Sequence, residues 1–97
     1  MNDFGIGESV LNEIRVLAEK HEIDKVILFG SRARGDNWEK SDIDLAVLGG
    51  DFNQFSLDVD EETSTLRLFD FVNLSGWVSP ALLSEIKKDG IVLYEKI

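Results

Sequence analysis

The sequence predicts an α/β fold of the α+β kind, a small mixed, twisted sheet with helices packed against it. Three observations carry this expectation. Apolar residues recur at helical spacing near both ends of the chain. Short apolar runs of strand length lie between and after them, bounded by glycines and polar turns. The two kinds of segment alternate in the order α-β-turn-β-α-β-α-β.

The first helix is predicted over residues 8–21, where Val10, Ile14, Leu17 and Ala18 share a face and polar residues lie between them. Glu22-Ile23-Asp24 breaks the pattern. Lys25 to Phe29 ends in the continuous run Val26-Ile27-Leu28-Phe29, which suits a strand buried on both faces. Ser31 to Arg34 has room for one helical turn. Gly35 to Ser41 is a polar loop. Asp42 to Leu48 forms the second strand, and Gly49-Gly50 ends it.

In the acidic stretch from Asp51 to Thr65, Phe52, Phe55 and Val59 share one helical face. Asp58, Asp60, Glu61 and Glu62 are expected in solvent, and Thr63-Ser64-Thr65 forms a loop. Leu66 to Leu74, rich in Leu, Phe and Val, predicts a third strand. Ser79-Pro80 opens the last helix, with serine as cap and proline in the first helical position. Leu82, Leu83 and Ile86 supply its buried face, and Lys87-Lys88 suits its negative end. Gly90 ends that helix, and Ile91 to Tyr94 is a final short strand. Phe52, Phe55 and Trp77 are left open between core and interface.

Ninety-seven residues make one domain, residues 1–97, with one core. A hydrophobic content of 43% is that of a globular chain. No apolar run reaches the roughly 18 residues of a membrane span. Met1 to Gly5 does not read as a leader, so a cytoplasmic location is the expectation. Without cysteine there is neither disulfide nor thiolate metal site. The net charge of −9 argues against direct nucleic-acid binding, which needs clustered Lys and Arg. It suits solubility, and it also suits a basic protein partner.

The chemistry is concentrated in one stretch. A strand runs into Gly30-Ser31, and Asp42 and Asp44 follow eleven and thirteen residues after the serine. Two residues apart on a strand, the two carboxylates leave the same face, with Cα atoms about 6.7 Å apart. Without a cation their repulsion raises the pKa of at least one. Carboxylate oxygens in that arrangement suit Mg²⁺, which completes its shell with phosphates and water. Asp70 interrupts Leu68, Val72 and Leu74 on one face of the third strand. A carboxylate there is paired, at a rim, or bound to metal.

Gly30 lets backbone approach a phosphate closely, and the first N–H groups at Ser31 lack partners in their own turn. Arg32 and Arg34 are candidate phosphate partners, with a plain surface charge the alternative for Arg32. Ser41 is placed to order the approach to the second strand through a backbone hydrogen bond. Trp38 either stacks on a base, meets a partner or packs over the strand edge. The sole histidine, His21, ends a helix and is structural or exposed; it gives Ser31 no support as a nucleophile. Gly35 is not followed by Lys-Ser or Lys-Thr, so the loop is not a Walker A motif.

Gly30-Ser31, Arg34-Gly35 and Ser41-Asp42-Ile43-Asp44-Leu45, followed by Asp70-Phe71-Val72, resemble the signature of the DNA polymerase β-like nucleotidyltransferase superfamily. Within it they resemble the minimal nucleotidyltransferase (MNT) family. The resemblance implies the polymerase β-like fold without the extra substrate domain of larger members. It implies that Asp42 and Asp44 hold Mg²⁺, two ions in all, and that Asp70 completes the catalytic set. Gly30 and Ser31 would grip the triphosphate of ATP, with Arg34 and Ser41 on the nucleotide side. It further implies an antitoxin whose partner is a HEPN-domain toxin, and transfer of AMP from ATP to a tyrosine hydroxyl of that toxin.

Two other readings compete with AMP transfer. One is a non-catalytic antitoxin that covers its partner's active site. The other is a small-molecule nucleotidyltransferase, which would need an oligomer or a partner to build its acceptor pocket. The sequence leaves the oligomeric state open.

Overall fold

The computed structural model describes residues 3–97; Met1 and Asn2, part of the stretch read for a leader, lie outside the described residues. Among the described residues the elements run α1 (Glu8–Lys20), β1 (Lys25–Phe29), α2 (Ser31–Arg34), β2 (Ile43–Leu48), α3 (Phe52–Glu62), β3 (Phe69–Asn73), α4 (Pro80–Asp89) and β4 (Ile91–Glu95). This is the order the sequence predicts. No helix among them is long and apolar enough to cross a membrane.

The strands form one sheet in the order β3-β2-β1-β4. β1 pairs antiparallel with both β2 and β4. β2 and β3 are parallel, and α3 supplies the crossover that parallel strands require. The sheet is therefore mixed, as expected.

Alternation along the strands divides the core between two faces. Val26 and Leu28 of β1 and Ile43, Leu45 and Val47 of β2 pack with α1 residues Val10, Leu11, Ile14, Leu17 and Ala18. Phe55 and Val59 of α3 join them, both fully buried. Phe71 meets Phe55 edge-on at 6.5 Å between ring centroids. The opposite face carries Phe29 and Ala46, covered by Ile86 of α4 with Ile27, Val72, Leu74 and Leu82 around them. β1 is thus buried on both faces, as its continuous apolar run predicts. Phe55 is core, Phe52 packs at its edge, and Trp77 is exposed.

Helix ends follow local chemistry. The Ser79 hydroxyl accepts from the Leu82 N–H at 3.2 Å, and Pro80 follows it. Gly90 ends α4 at an ordinary φ of −64° rather than in the left-handed region. Its requirement is steric: a Cβ there would strike the Ile86 carbonyl and approach Ile27 Cγ2 to 2.7 Å.

Two expectations need correction. The third strand is shorter than residues 66–74, and Leu66 and Leu68 are largely exposed. β3 is an edge strand, and its pairing begins only where the Ile43 N–H donates to the Leu68 carbonyl. Asp58 is not in solvent. It is buried on the inner side of α3, where it meets His21 Nε2 at 2.7 Å and accepts from Gln54 Nε2 at 2.9 Å. His21 is therefore structural, joining the end of α1 to α3.

The hydrogen bond from Gln54, then that with His21, holds the Asp58 carboxyl below its ordinary pKa. A depressed acid adds stability that is present above its unfolded pKa and lost as pH falls through the folded value. Asp58→Asn should therefore lower the melting temperature at pH 7. The gap to wild type should close as pH drops below about 4, the ordinary carboxylate value. Thermal melts across a pH series check both effects.

Candidate active site

The sheet places three segments at one end. β1 ends at Phe29, whose register partner in β2 is Asp44. Asp44 in turn pairs with Asp70 across the parallel β2–β3 ladder. The end of β1, the start of β2 and the start of β3 thus meet where β1 turns through Gly30 into α2.

Gly30 is buried and adopts φ 78° and ψ −155°, a conformation essentially confined to glycine. A Cβ at Gly30 would collide with the Asp44 carboxylate. Backbone conformation and the closeness of Asp44 both exclude a side chain here. Ser31 opens α2 beside it, half-buried; the Arg34 N–H closes the turn onto the Gly30 carbonyl at 3.1 Å, while the earlier N–H groups have no partner within it.

Asp44 is half-buried; Asp42, just outside β2, and Asp70, on edge strand β3, are exposed. Among the described residues none of these three carboxylates has a hydrogen bond or ion pair. Burial first, then the charges of Asp70, Asp42 and Glu85, push the Asp44 carboxyl up to about 6, while Arg34 pulls weakly the other way. The site is an anionic cluster with little compensation.

Arg32 and Arg34 have separate tasks. Arg32 is 2% exposed, which excludes the surface-charge reading. Its guanidinium donates to the Ser41 carbonyl at 2.6 and 3.2 Å, to the Glu39 carbonyl at 3.2 Å and to the Phe4 carbonyl at 3.1 Å. It clamps the loop that delivers Asp42. Burial, and then the neighbouring Arg67, pull its pKa down. Ser41 does the local work predicted for it: its hydroxyl accepts from the Trp38 N–H at 3.1 Å. Arg34 lies at the surface with Nε on Asp36 Oδ2 at 3.2 Å and Nη1 on Glu85 Oε1 at 2.9 Å. Trp38 is 78% exposed, so it does not pack over the strand edge.

Glu85 is the neighbour that sequence reasoning missed. It belongs to α4, outside the Gly-Ser and Asp-x-Asp stretch, yet acts on both Arg34 and Asp44. The available signal was its place three residues after Leu82, beside the apolar stripe of that helix.

The donors suit a hard cation, since all are carboxylate oxygens. Among the described residues no three acidic or histidine side chains are gathered tightly enough to hold a metal ion alone. That fits an ion such as Mg²⁺, which takes only one or two protein carboxylates and fills its shell with phosphate and water. The absence of a side chain at Gly30 lets the Asp44 carboxylate lie directly against the turn.

The family model described as "Polymerase beta, Nucleotidyltransferase" matches residues 12–97. The chain belongs to this family. The resemblance read from its motifs is borne out, and so is the fold. A chain in the crystal structure of a toxin-antitoxin with AMP-PNP is 26% identical, with a TM-score of 0.69; the match covers 89% of this chain and 73% of that one. A chain in a mutant of the toxin-antitoxin MntA-HpeT has a TM-score of 0.68 over 89% of this chain and 73% of its own; at 24% identity the likeness is one of fold. A Methanocaldococcus jannaschii protein named "Putative protein adenylyltransferase MJ0141" is 59% identical over 29 residues. That match spans 30% of this chain and only 29% of the relative.

The raised pKa of Asp44 has a sign that can be tested in cation-free protein. An acid whose folded pKa exceeds its unfolded value favours the fold when protonated. Its contribution is thus lost as pH rises from about 4 toward the folded value of about 6. Asp44→Asn removes the charge at nearly constant shape. With chelator present at pH 7 it should raise stability by on the order of 1 kcal/mol, after allowance for solvent screening of a half-exposed group. The gain should vanish near pH 4 in denaturant titrations.

Proposed function

We propose that this protein transfers AMP from ATP to a hydroxyl of a protein partner and acts as an antitoxin, the partner being a HEPN-type toxin and the acceptor a tyrosine. One observation carries the proposal: in a polymerase beta nucleotidyltransferase chain, the glycine-only turn at Gly30 presses against Asp44, with Asp70 directly across the ladder. Backbone donors for a triphosphate and carboxylates for a cation meet there. The toxin-antitoxin structure with AMP-PNP supports the choice of nucleotide and the kind of partner.

In this reading Gly30 and Ser31 receive the triphosphate on backbone N–H groups and the serine hydroxyl. Asp42 and Asp44 would hold Mg²⁺, and Asp70 would complete the set. When bound, the divalent cation supplies charge neutralisation on the phosphates and activation of the attacking oxygen. Arg32 keeps the loop before Asp42 in place. Arg34, at the rim, offers its remaining guanidinium N–H to a phosphate oxygen. Asp70, exposed on the edge strand, takes the proton of the acceptor hydroxyl. The hydroxyl oxygen bonds to the α-phosphorus, the bond from that phosphorus to the bridging oxygen breaks, and pyrophosphate leaves. No covalent enzyme intermediate is needed; position and charge carry the rate.

The test is transfer of label from α-labelled ATP to the neighbouring-gene protein in the presence of Mg²⁺. Wild type should label the partner, and Asp42→Asn/Asp44→Asn should reduce labelling by at least about a hundredfold. No label from a stable complex that binds ATP would instead favour an antitoxin that works by covering its partner.

A further inference from the structure

Arg34 is near enough for its charge to act weakly on Asp44, one of three carboxylates without an ion pair among the described residues, yet it does not join them. Its Nε is taken by Asp36 and its Nη1 by Glu85, and among the described residues no hydrogen bond or ion pair links it to Asp42, Asp44 or Asp70. Left to itself, a long cationic side chain next to an uncompensated acidic cluster folds onto it, because a charge-assisted pair there relieves the repulsion. Arg34 would then occupy the space a divalent cation needs.

Asp36 holds Nε, but it is two residues from Arg34, just past the same turn, and does not reach Nη1. Glu85 does. It projects from α4, whose next residue, Ile86, is buried against Phe29 and Ala46 on the α4 side of the sheet. A carboxylate on that fixed helix meets Nη1 at 2.9 Å, the length of a strong charge-assisted bond.

We propose that Glu85 is a positioning residue: it holds Arg34 off the Asp42–Asp44–Asp70 cluster, so the cluster stays open to a divalent cation while the guanidinium waits at the rim for phosphate. The inference rests on the nucleotidyl-transfer reading of the same site. It assigns a task to a residue outside the family's Gly-Ser and Asp-x-Asp motifs. Without Glu85, Arg34 competes with the cation. Without Arg34, Glu85 has nothing to hold and its loss should matter little.

The test is a double-mutant cycle read by Mn²⁺ binding, followed by electron paramagnetic resonance at 0.15 M salt on the whole chain. Wild type, Glu85→Ala, Arg34→Ala, the double variant and Asp42→Asn/Asp44→Asn are compared. Glu85→Ala should weaken Mn²⁺ binding about tenfold in the wild-type background and less than about twofold in the Arg34→Ala background. Glu85→Gln, which keeps an acceptor for Nη1, should recover part of the loss. Thermal melts exclude unfolding as the cause.

Equal losses in the two backgrounds would mean that Glu85 contributes only its own charge, and would overturn the positioning role while leaving the site intact. Wild type that binds Mn²⁺ no better than Asp42→Asn/Asp44→Asn would overturn the cation site, and this inference with it.

Discussion

The repulsion between Asp44 and Asp70, facing each other across a parallel strand pair, is the constraint around which the rest of the site is arranged. Among the described residues neither carboxylate has a cationic partner, and half-burial of Asp44 makes its charge harder still to keep. A fold selected for stability alone would place an apolar or paired side chain here. The surrounding residues instead preserve the charge. Gly30 has no side chain to push Asp44 away, Arg32 is committed to backbone carbonyls, and Arg34 is bound elsewhere. Two arginines lie within four residues of the turn, and neither neutralises the cluster.

The sheet can bear this because its two faces are unequal. The face under α1 and α3 holds the larger core, including Phe55, Ile14 and Leu45, all fully buried. The α4 face is covered around Ile86, Phe29 and Ala46, and Asp44 lies two residues before Ala46 on that same face. The larger hydrophobic cluster and the part-buried His21–Asp58 pair lie at α1 and α3. The larger core and the acidic cluster thus lie on opposite faces of the sheet.

Much of this was legible in the chain. Val26 to Phe29 announced a strand buried on both faces, and Gly30-Ser31 with Asp42 and Asp44 announced a turn facing two carboxylates. The strand spacing set the common face of the two carboxylates, and the resemblance implied their meeting with the turn. What was not legible depends on distant elements. Asp58 looked like one more charge in an acidic helix, because its partner His21 is 37 residues away. Arg32 was open between a phosphate partner and a surface charge, because its acceptors are backbone carbonyls that carry no sequence signal. Glu85 acquires its meaning only when α4 crosses to α2. The start of β3 was misjudged because Leu66 and Leu68 continue its apolar run but lie before the point where an edge strand finds a partner.

The central claim is that the Gly30-Ser31 turn and the carboxylates of β2 and β3 form one site for a cation and a triphosphate. Paramagnetic broadening of backbone amide signals by Mn²⁺ with AMP-PNP tests it most directly, since the effect falls steeply with distance from the ion. The account predicts broadening centred on Gly30, Ser31, Asp42 to Asp44 and Asp70, with the α3 amides around Asp60 to Glu62 spared. Broadening centred on that acidic stretch, or spread evenly over the acidic surface, would contradict it.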